Sequence, residues 1–199
     1  MVPDVQKVDL PCPICNSQGQ VGMMTHVDEI PYFGEHVQLT LLCDDCGWRQ
    51  TDFIPAEGRK PGAHSILVNK SEHLSSRVVR SSSCTVRIPE LDLEVTPGTA
   101  ATGYVTNVEG MFNRFIEVVE MVYRQVIEDD IDSATEVAEM LVALNAITDG
   151  LFERPMTLEL LDPHGLSQIL HVDAIERDLS EIELERLPVG PDPAVLSND

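Results

Sequence analysis

Cys12-Pro13-Ile14-Cys15 and Cys43-Asp44-Asp45-Cys46 are two CxxC pairs separated by 27 residues. Each pair puts two sulfurs on one tight turn, and four thiolates fill the tetrahedral shell of a d¹⁰ ion. One structural Zn²⁺ on Cys12, Cys15, Cys43 and Cys46 is therefore the expected occupant. A closed sulfur shell leaves no position for water, so such an ion holds structure and does no chemistry. Gly47 follows the second pair, where a knuckle turn favours a residue that accepts positive φ. A thioredoxin-type redox pair belongs near a βαβ pattern, which is missing here. Two disulfides are the other alternative. The first residues, MVPDVQKVDL, show neither a basic start nor an apolar core of a secretory signal. The expected location is cytoplasmic, where thiols stay reduced. Cys84, the fifth cysteine, sits in an alternating run and reads as a small buried hydrophobe.

Other reactive groups make a weaker case. The six histidines are His26, His36, His64, His73, His164 and His171. A β-barrel metalloenzyme would draw on an HxH pair with a carboxylate and a later histidine, and no HxH occurs. His64 and His73 are nine apart, and Asp173 follows His171 closely in what reads as a surface strand. A histidine gains a functional role only with a positioned partner. There is no GxxxxGK[ST], no GxGxxG and no GxSxG. The chain reads as a binding protein, not an enzyme, with no small-molecule substrate indicated.

Charge narrows the partners. There are 34 acidic and 13 basic residues, net −21, among 199. The acids are spread along the chain, and only Lys7, Lys60 and Lys70 are lysines. Such a surface suits a high-salt cytoplasm, where self-repulsion is screened; the alternative is a basic partner. A reader of phosphate backbones needs a basic stripe, which disfavours nucleic acid. Residues 61–100 alone are neutral, with four acids and four bases, including Arg77, Arg80 and Arg87. This relative positive island is a candidate contact surface or a set of local ion pairs. No apolar run approaches the ~18 residues of a membrane span.

The elements that must position the thiols are short strands. Strands are expected near 20–27 and 35–42, joined by a turn with Pro31 and Gly34. Two knuckles bracketing a hairpin make a zinc ribbon over 1–50. So small a unit depends on its metal, worth about 10–16 kcal/mol in zinc-finger peptides. From 51 to 175 the pattern is mainly β, interrupted by helices. Strand-like runs are 66–68, 78–79, 85–88 and a strictly alternating 91–95, then 156–161 and 168–172 around the turn Asp162-Pro163-His164-Gly165. Gly98 to Gly103 reads as a mobile connection. Apolar residues at spacings of three and four mark helices at about 107–127 and 133–149, within an insertion at 107–150. Thr106 to Glu109 and Ser133 to Glu136 read as capping boxes. The acidic stretch 173–187 has weak helical spacing, and 176–199 reads as a partly disordered tail.

These residues resemble a known family. Ile30-Pro31-Tyr32-Phe33, Cys43 to Arg49, Arg77-Val78-Val79-Arg80-Ser81, Ile88 to Glu94, Thr106 to Gly110 and Asp162 to Gly165 occur in the order seen in the ZPR-type zinc-finger family. The resemblance covers residues 12–172. It implies a zinc ribbon followed by a double-stranded β-helix, jelly-roll-like, with an inserted helical hairpin. It also implies binding: eukaryotic members carry two such modules, bind translation elongation factor 1-alpha and are associated with its folding. This chain has one module, as fits an archaeal single-module form. The expected function is thus a zinc-binding adaptor or folding factor for elongation factor 1-alpha. The alternative is a nucleic-acid-associated zinc ribbon of the transcription or translation machinery. Candidate partner contacts are Tyr32 and Phe33 at the ribbon tip, Trp48 beside the second knuckle, and Arg77 and Arg80. Trp48 serves equally well as a packing residue.

Overall fold

Alternation of apolar and polar residues builds the first layer. The computed structural model describes residues 5–30, 34–55, 60–128 and 130–189. Strands β1 (Gln6–Lys7), β2 (Val21–Ile30), β3 (Gly34–Cys43) and β4 (Arg49–Pro55) form one antiparallel sheet in that order. Val21 faces Cys43 and Met23 faces Leu41 across β2 and β3. Odd-numbered residues of both strands thus share a face, where Val21, Met23, Leu39, Leu41, Cys43 and Cys12 pack together. The sheet extends past residue 50, because β4 pairs with β3 from Arg49 to Pro55.

The second layer is an all-antiparallel barrel of two sheets. Strands β5 (Gly62–Val68), β7 (Thr85–Ile88), β8 (Leu93–Val95), β10 (Met156–Asp162) and β12 (Ile175–Asp178) form one sheet in the order β12-β5-β10-β7-β8. Strands β6 (Arg77–Arg80), β9 (Tyr104–Asn107) and β11 (Gln168–Leu170) form the other, in the order β11-β6-β9. A short helix α1 (Ser71–Leu74) links β5 to β6. Ile66, Val78, Val86, Ile88, Leu158, Leu160 and Ile169 meet inside, and Cys84 joins them as a fully buried thiol. Burial pushes that thiol up to about 12.

The helical hairpin closes this core. Helices α2 (Val108–Val126) and α3 (Ile131–Thr148) lie close to the expected spans. Val108, Met111, Phe112, Phe115, Ile116 and Val119 of α2, with Leu144 and Ile147 of α3, pack into the barrel core. Beyond Val119 the apolar stripe leaves the core, and Val122 is exposed. The caps differ from expectation by one and three residues. Thr106 is still in β9, paired with Val78, so Asn107 caps α2 by accepting from the Gly110 N–H at 2.8 Å. Asp130 caps α3 through the N–H groups of Asp132 and Ser133, and the Ser133 hydroxyl donates to it at 2.7 Å. Of the described residues, no helix is long and apolar enough to cross a membrane.

Other local expectations are corrected by pairing. Residues 91–95 are not one alternating strand: Pro89–Leu91 is a 3-10 turn, and Asp92 takes a left-handed φ of 51° before β8 begins. Both Leu91 and Leu93 still reach the core. Residues 175–178 form an edge strand on β5 instead of continuing the weak helical spacing, because ladder hydrogen bonds outweigh it. A short helix, α4 (Glu181–Arg186), follows with a complete capping box on Ser180 and Glu183. Leu179 and Leu187 are buried with Ala63 and Leu161. Residues 190–199 lie outside the described residues.

Ribbon and barrel are tied along β4. The Asp52 carboxylate accepts from the Ser82 N–H at 2.7 Å and the Ser82 hydroxyl at 2.6 Å. Phe53 packs on Val79 and Leu170. The stretch expected to be mobile is held: the Thr102 hydroxyl accepts from the Thr51 N–H at 2.9 Å, and the Gly103 N–H donates to the Thr51 carbonyl. A Cβ at Gly103 would stand 2.9 Å from the Thr51 carbonyl oxygen and 3.0 Å from Asp52, so the close approach requires glycine. A second buried carboxylate, Asp162, gathers five donors: the hydroxyls of Ser81, Ser83 and Ser167 and the N–H groups of His164 and Leu166. It thereby locks the Asp162–Gly165 turn to the β6–β7 connection.

Two outcomes test these ties. Asp162→Ala strands five donors and is expected to destabilise the chain by about 2–4 kcal/mol in chemical denaturation. Burial, only partly offset by the Ser82 and Gln50 hydrogen bonds, raises the Asp52 pKa from its ordinary value. A carboxyl held more tightly protonated when folded adds stability at low pH, and that stability is lost as pH rises from the ordinary carboxylate range through the raised value. Asp52→Asn should flatten that fall in stability-versus-pH curves; an unchanged profile would contradict the assignment.

Candidate metal centre

Two turns of nearly the same construction carry the sulfurs. In the first, the Asn16 N–H donates to the Cys12 carbonyl at 2.8 Å and the Cys12 N–H to the Ser17 carbonyl at 3.1 Å. In the second, the Gly47 N–H donates to the Cys43 carbonyl at 3.0 Å and the Cys43 N–H to the Trp48 carbonyl at 2.8 Å. The residue after each second cysteine is left-handed, Asn16 at φ 59° and Gly47 at 73°. Asparagine and glycine are the residues that tolerate this conformation. The Asp44 N–H reaches the Gln20 carbonyl at 3.1 Å and joins the knuckles. An ion pair from Lys7 to Asp44 lies outside it.

All four sulfurs lie within 4.8 Å of one another. Cys12 and Cys46 are 3.7 Å apart at Sγ, and Cys15 and Cys43 are also 3.7 Å apart. A tetrahedron of sulfurs at the usual Zn–S distance has edges of roughly 3.8 Å. The contacts therefore cross between the two knuckles at the spacing one zinc ion requires. Cys12 and Cys43 are buried, while Cys15 and Cys46 face outward. Without an ion the thiols compete. The Ser17 hydroxyl and N–H draw Cys15 down to about 6. The Trp48 N–H favours the Cys46 thiolate, but partial desolvation and the three neighbouring sulfurs outweigh it and push Cys46 up to about 12. Four thiolates at this spacing coexist only around a cation.

The chain's relatives agree with this geometry. The sequence profile of the ZPR1 zinc-finger domain matches residues 4–61, and that of the ZPR1 jelly-roll domain matches residues 72–188. The chain belongs to the ZPR1 family. An uncharacterised ZPR1-like protein of Methanocaldococcus jannaschii is 37% identical over 94% of this chain and 91% of its own length. One from Pyrococcus horikoshii is 34% identical over 90% of this chain and 80% of its own. The zinc finger chaperone zpr1 of Schizosaccharomyces pombe is 32% identical over 84% of this chain but only 36% of its own length. The chain thus carries one ZPR1 zinc-finger domain and one ZPR1 jelly-roll domain, and Cys12, Cys15, Cys43 and Cys46 are its zinc ligands.

The candidate partner contacts are placed variously. Tyr32 and Phe33 lie outside the described residues. Trp48 is half-buried against the ribbon core. Arg77 is exposed, but Arg80 is buried, donating to the Cys84 carbonyl at 2.8 Å and the Thr102 carbonyl at 3.2 Å. Arg80 also lies over the Tyr104 ring. The two arginines thus form no joint exposed patch. The structure also gathers a group that sequence reasoning missed: Glu72, His73, His171 and Asp173 offer ligand atoms within 4.8 Å of one another. His171 and Asp173 sit in the turn after β11, not in a strand. Their two-residue spacing was visible, but nothing in the sequence joined them to His73.

Zinc removal should act on the ribbon first. Strong chelation under reducing conditions is expected to cancel the ribbon's metal-derived stability, about 10–16 kcal/mol in comparable peptides. Calorimetry should then lose the ribbon transition and keep the barrel transition, since the two cores are separate. A single unaltered transition after chelation would show that the metal is dispensable.

Proposed function

We propose that this ZPR1 protein is a non-catalytic binding module that holds translation elongation factor 1-alpha during its folding. The carrying observation is a set of exposed apolar residues at the turn end of the hairpin, beyond the barrel core. Met121 and Val122 in the last turns of α2, Ile127 just after it and Ile131 (79% exposed) at the start of α3 are all exposed. Val118 and Val142 are exposed closer to the barrel. Apolar side chains left in solvent at one end of a helical pair mark a surface that meets partners. They lie on a segment rich in acids: residues 101–150 hold ten acids and two bases. Such a segment suits a client with basic surface. Kinship to a relative named a chaperone supports the folding role, and the sulfur-only metal shell argues against catalysis at the zinc. The nucleic-acid alternative loses Arg80, whose guanidinium is interior.

Capture of elongation factor 1-alpha by the purified chain tests this reading, in both nucleotide states and with nascent factor. Association is expected, and Met121→Glu with Ile131→Glu should weaken it about tenfold or more while leaving the fold intact, as both sites are exposed. Failure to associate in every state would remove the proposal.

A further inference from the structure

Two segments 98 residues apart bring imidazoles and carboxylates to one point on the barrel. His73 lies in the last turn of α1, and His171 and Asp173 lie in the turn between β11 and β12. The rings of His73 and His171 meet edge to face with centroids 4.9 Å apart. His73 is only 3% exposed, and its Nε2 is 3.1 Å from Asp173 Oδ2. The Asp173 N–H donates to His171 Nδ1 at 3.1 Å, which curls this segment around the ring. The exposed Glu72 carboxylate completes a set of four ligand atoms within 4.8 Å. Lys70 already places a positive charge there, 2.8 Å from Asp173 Oδ2 and paired with Glu72.

We infer that Glu72, His73, His171 and Asp173 form a second metal site, distinct from the sulfur cage, for a divalent first-row transition ion. Two imidazoles and two carboxylates are borderline donors that suit Zn²⁺, Co²⁺ or Ni²⁺, and they disfavour the oxygen-seeking Ca²⁺. Donors around such an ion stand roughly 3.3–3.5 Å apart at metal–ligand distances near 2.1 Å. The His73–Asp173 separation is close to that, and Glu72, whose side chain is 61% exposed, is free to change rotamer to complete the shell. The Asn69 N–H lies 3.5 Å from His73 Nδ1. On ligation the ion replaces the Nε2 proton of neutral His73, the ring's proton moves to Nδ1, and this long contact is given up. The Lys70 ammonium is the ion's direct competitor, because it already sits against the Asp173 and Glu72 carboxylates. An ion here would fasten α1 to the β11–β12 turn.

The test uses the full chain with the sulfur site already holding one zinc. Cobalt(II) is titrated in high salt and excess Mg²⁺, which mask loose binding to surface carboxylates. A second equivalent should bind with visible bands that lack thiolate charge transfer. His171→Ala and Asp173→Asn should each weaken it at least about tenfold without releasing the first zinc. Lys70→Gln should tighten it several-fold, because a competing cation is gone. His171 and Asp173 are only partly buried, so these variants remain folded. A single bound equivalent in both the parent and Lys70→Gln would overturn the proposal. So would a second equivalent indifferent to His171→Ala and Asp173→Asn.

Discussion

Four sulfur atoms gathered within 4.8 Å are the constraint on which the ribbon depends. Sulfurs at this range resist ionising together, because neighbouring negative charges repel. A divalent cation removes that conflict and converts a repulsive cluster into a cross-link between two turns. The ribbon's own apolar core is six residues, two of them ligating cysteines. Metal and core are therefore one unit, and neither suffices alone for a sheet this small.

The consequence reaches the barrel through β4. That strand belongs to the ribbon sheet, yet Asp52 binds Ser82, Phe53 packs on Val79, and Thr51 holds the Thr102–Gly103 connection. Buried carboxylates at such a junction are costly unless satisfied, and Asp52 and Asp162 are satisfied mainly by serine hydroxyls and backbone N–H groups. Polar partners of this kind demand correct geometry, so they fix how the ribbon sits more sharply than apolar contact would. Arg80 serves the same junction, which is why a residue that looked available for recognition is interior.

The hairpin divides its labour along its length. The first half of α2 and the last turns of α3 supply the barrel with its largest buried side chains, Phe112 and Leu144 among them. The far end keeps apolar residues in solvent, on a segment rich in acids. A rigid base with an unburied apolar tip is the arrangement a transient binding surface requires: a stable scaffold and area left to bury.

By itself the sequence determined whatever depends on local spacing. Cysteine pairs with two residues between them, a glycine after the second pair, alternating strands and a three-four apolar repeat were enough for the ribbon hairpin, most of the barrel strands, the two helices and the metal ligands, but not for β4 or β9. Local spacing misplaced the caps, because Thr106 and Ser133 fit a capping pattern that Asn107 and Asp130 fulfil in three dimensions. It also missed the edge strand at 175–178, which exists only because β5 offers an unpaired side. Burial of Arg80, the anchoring of the 98–103 segment and the meeting of His73 with His171 were decided by tertiary structure alone. These contacts join residues distant in the chain. The energy that selects them, desolvation balanced by specific hydrogen bonds, has no signature in any short window of sequence.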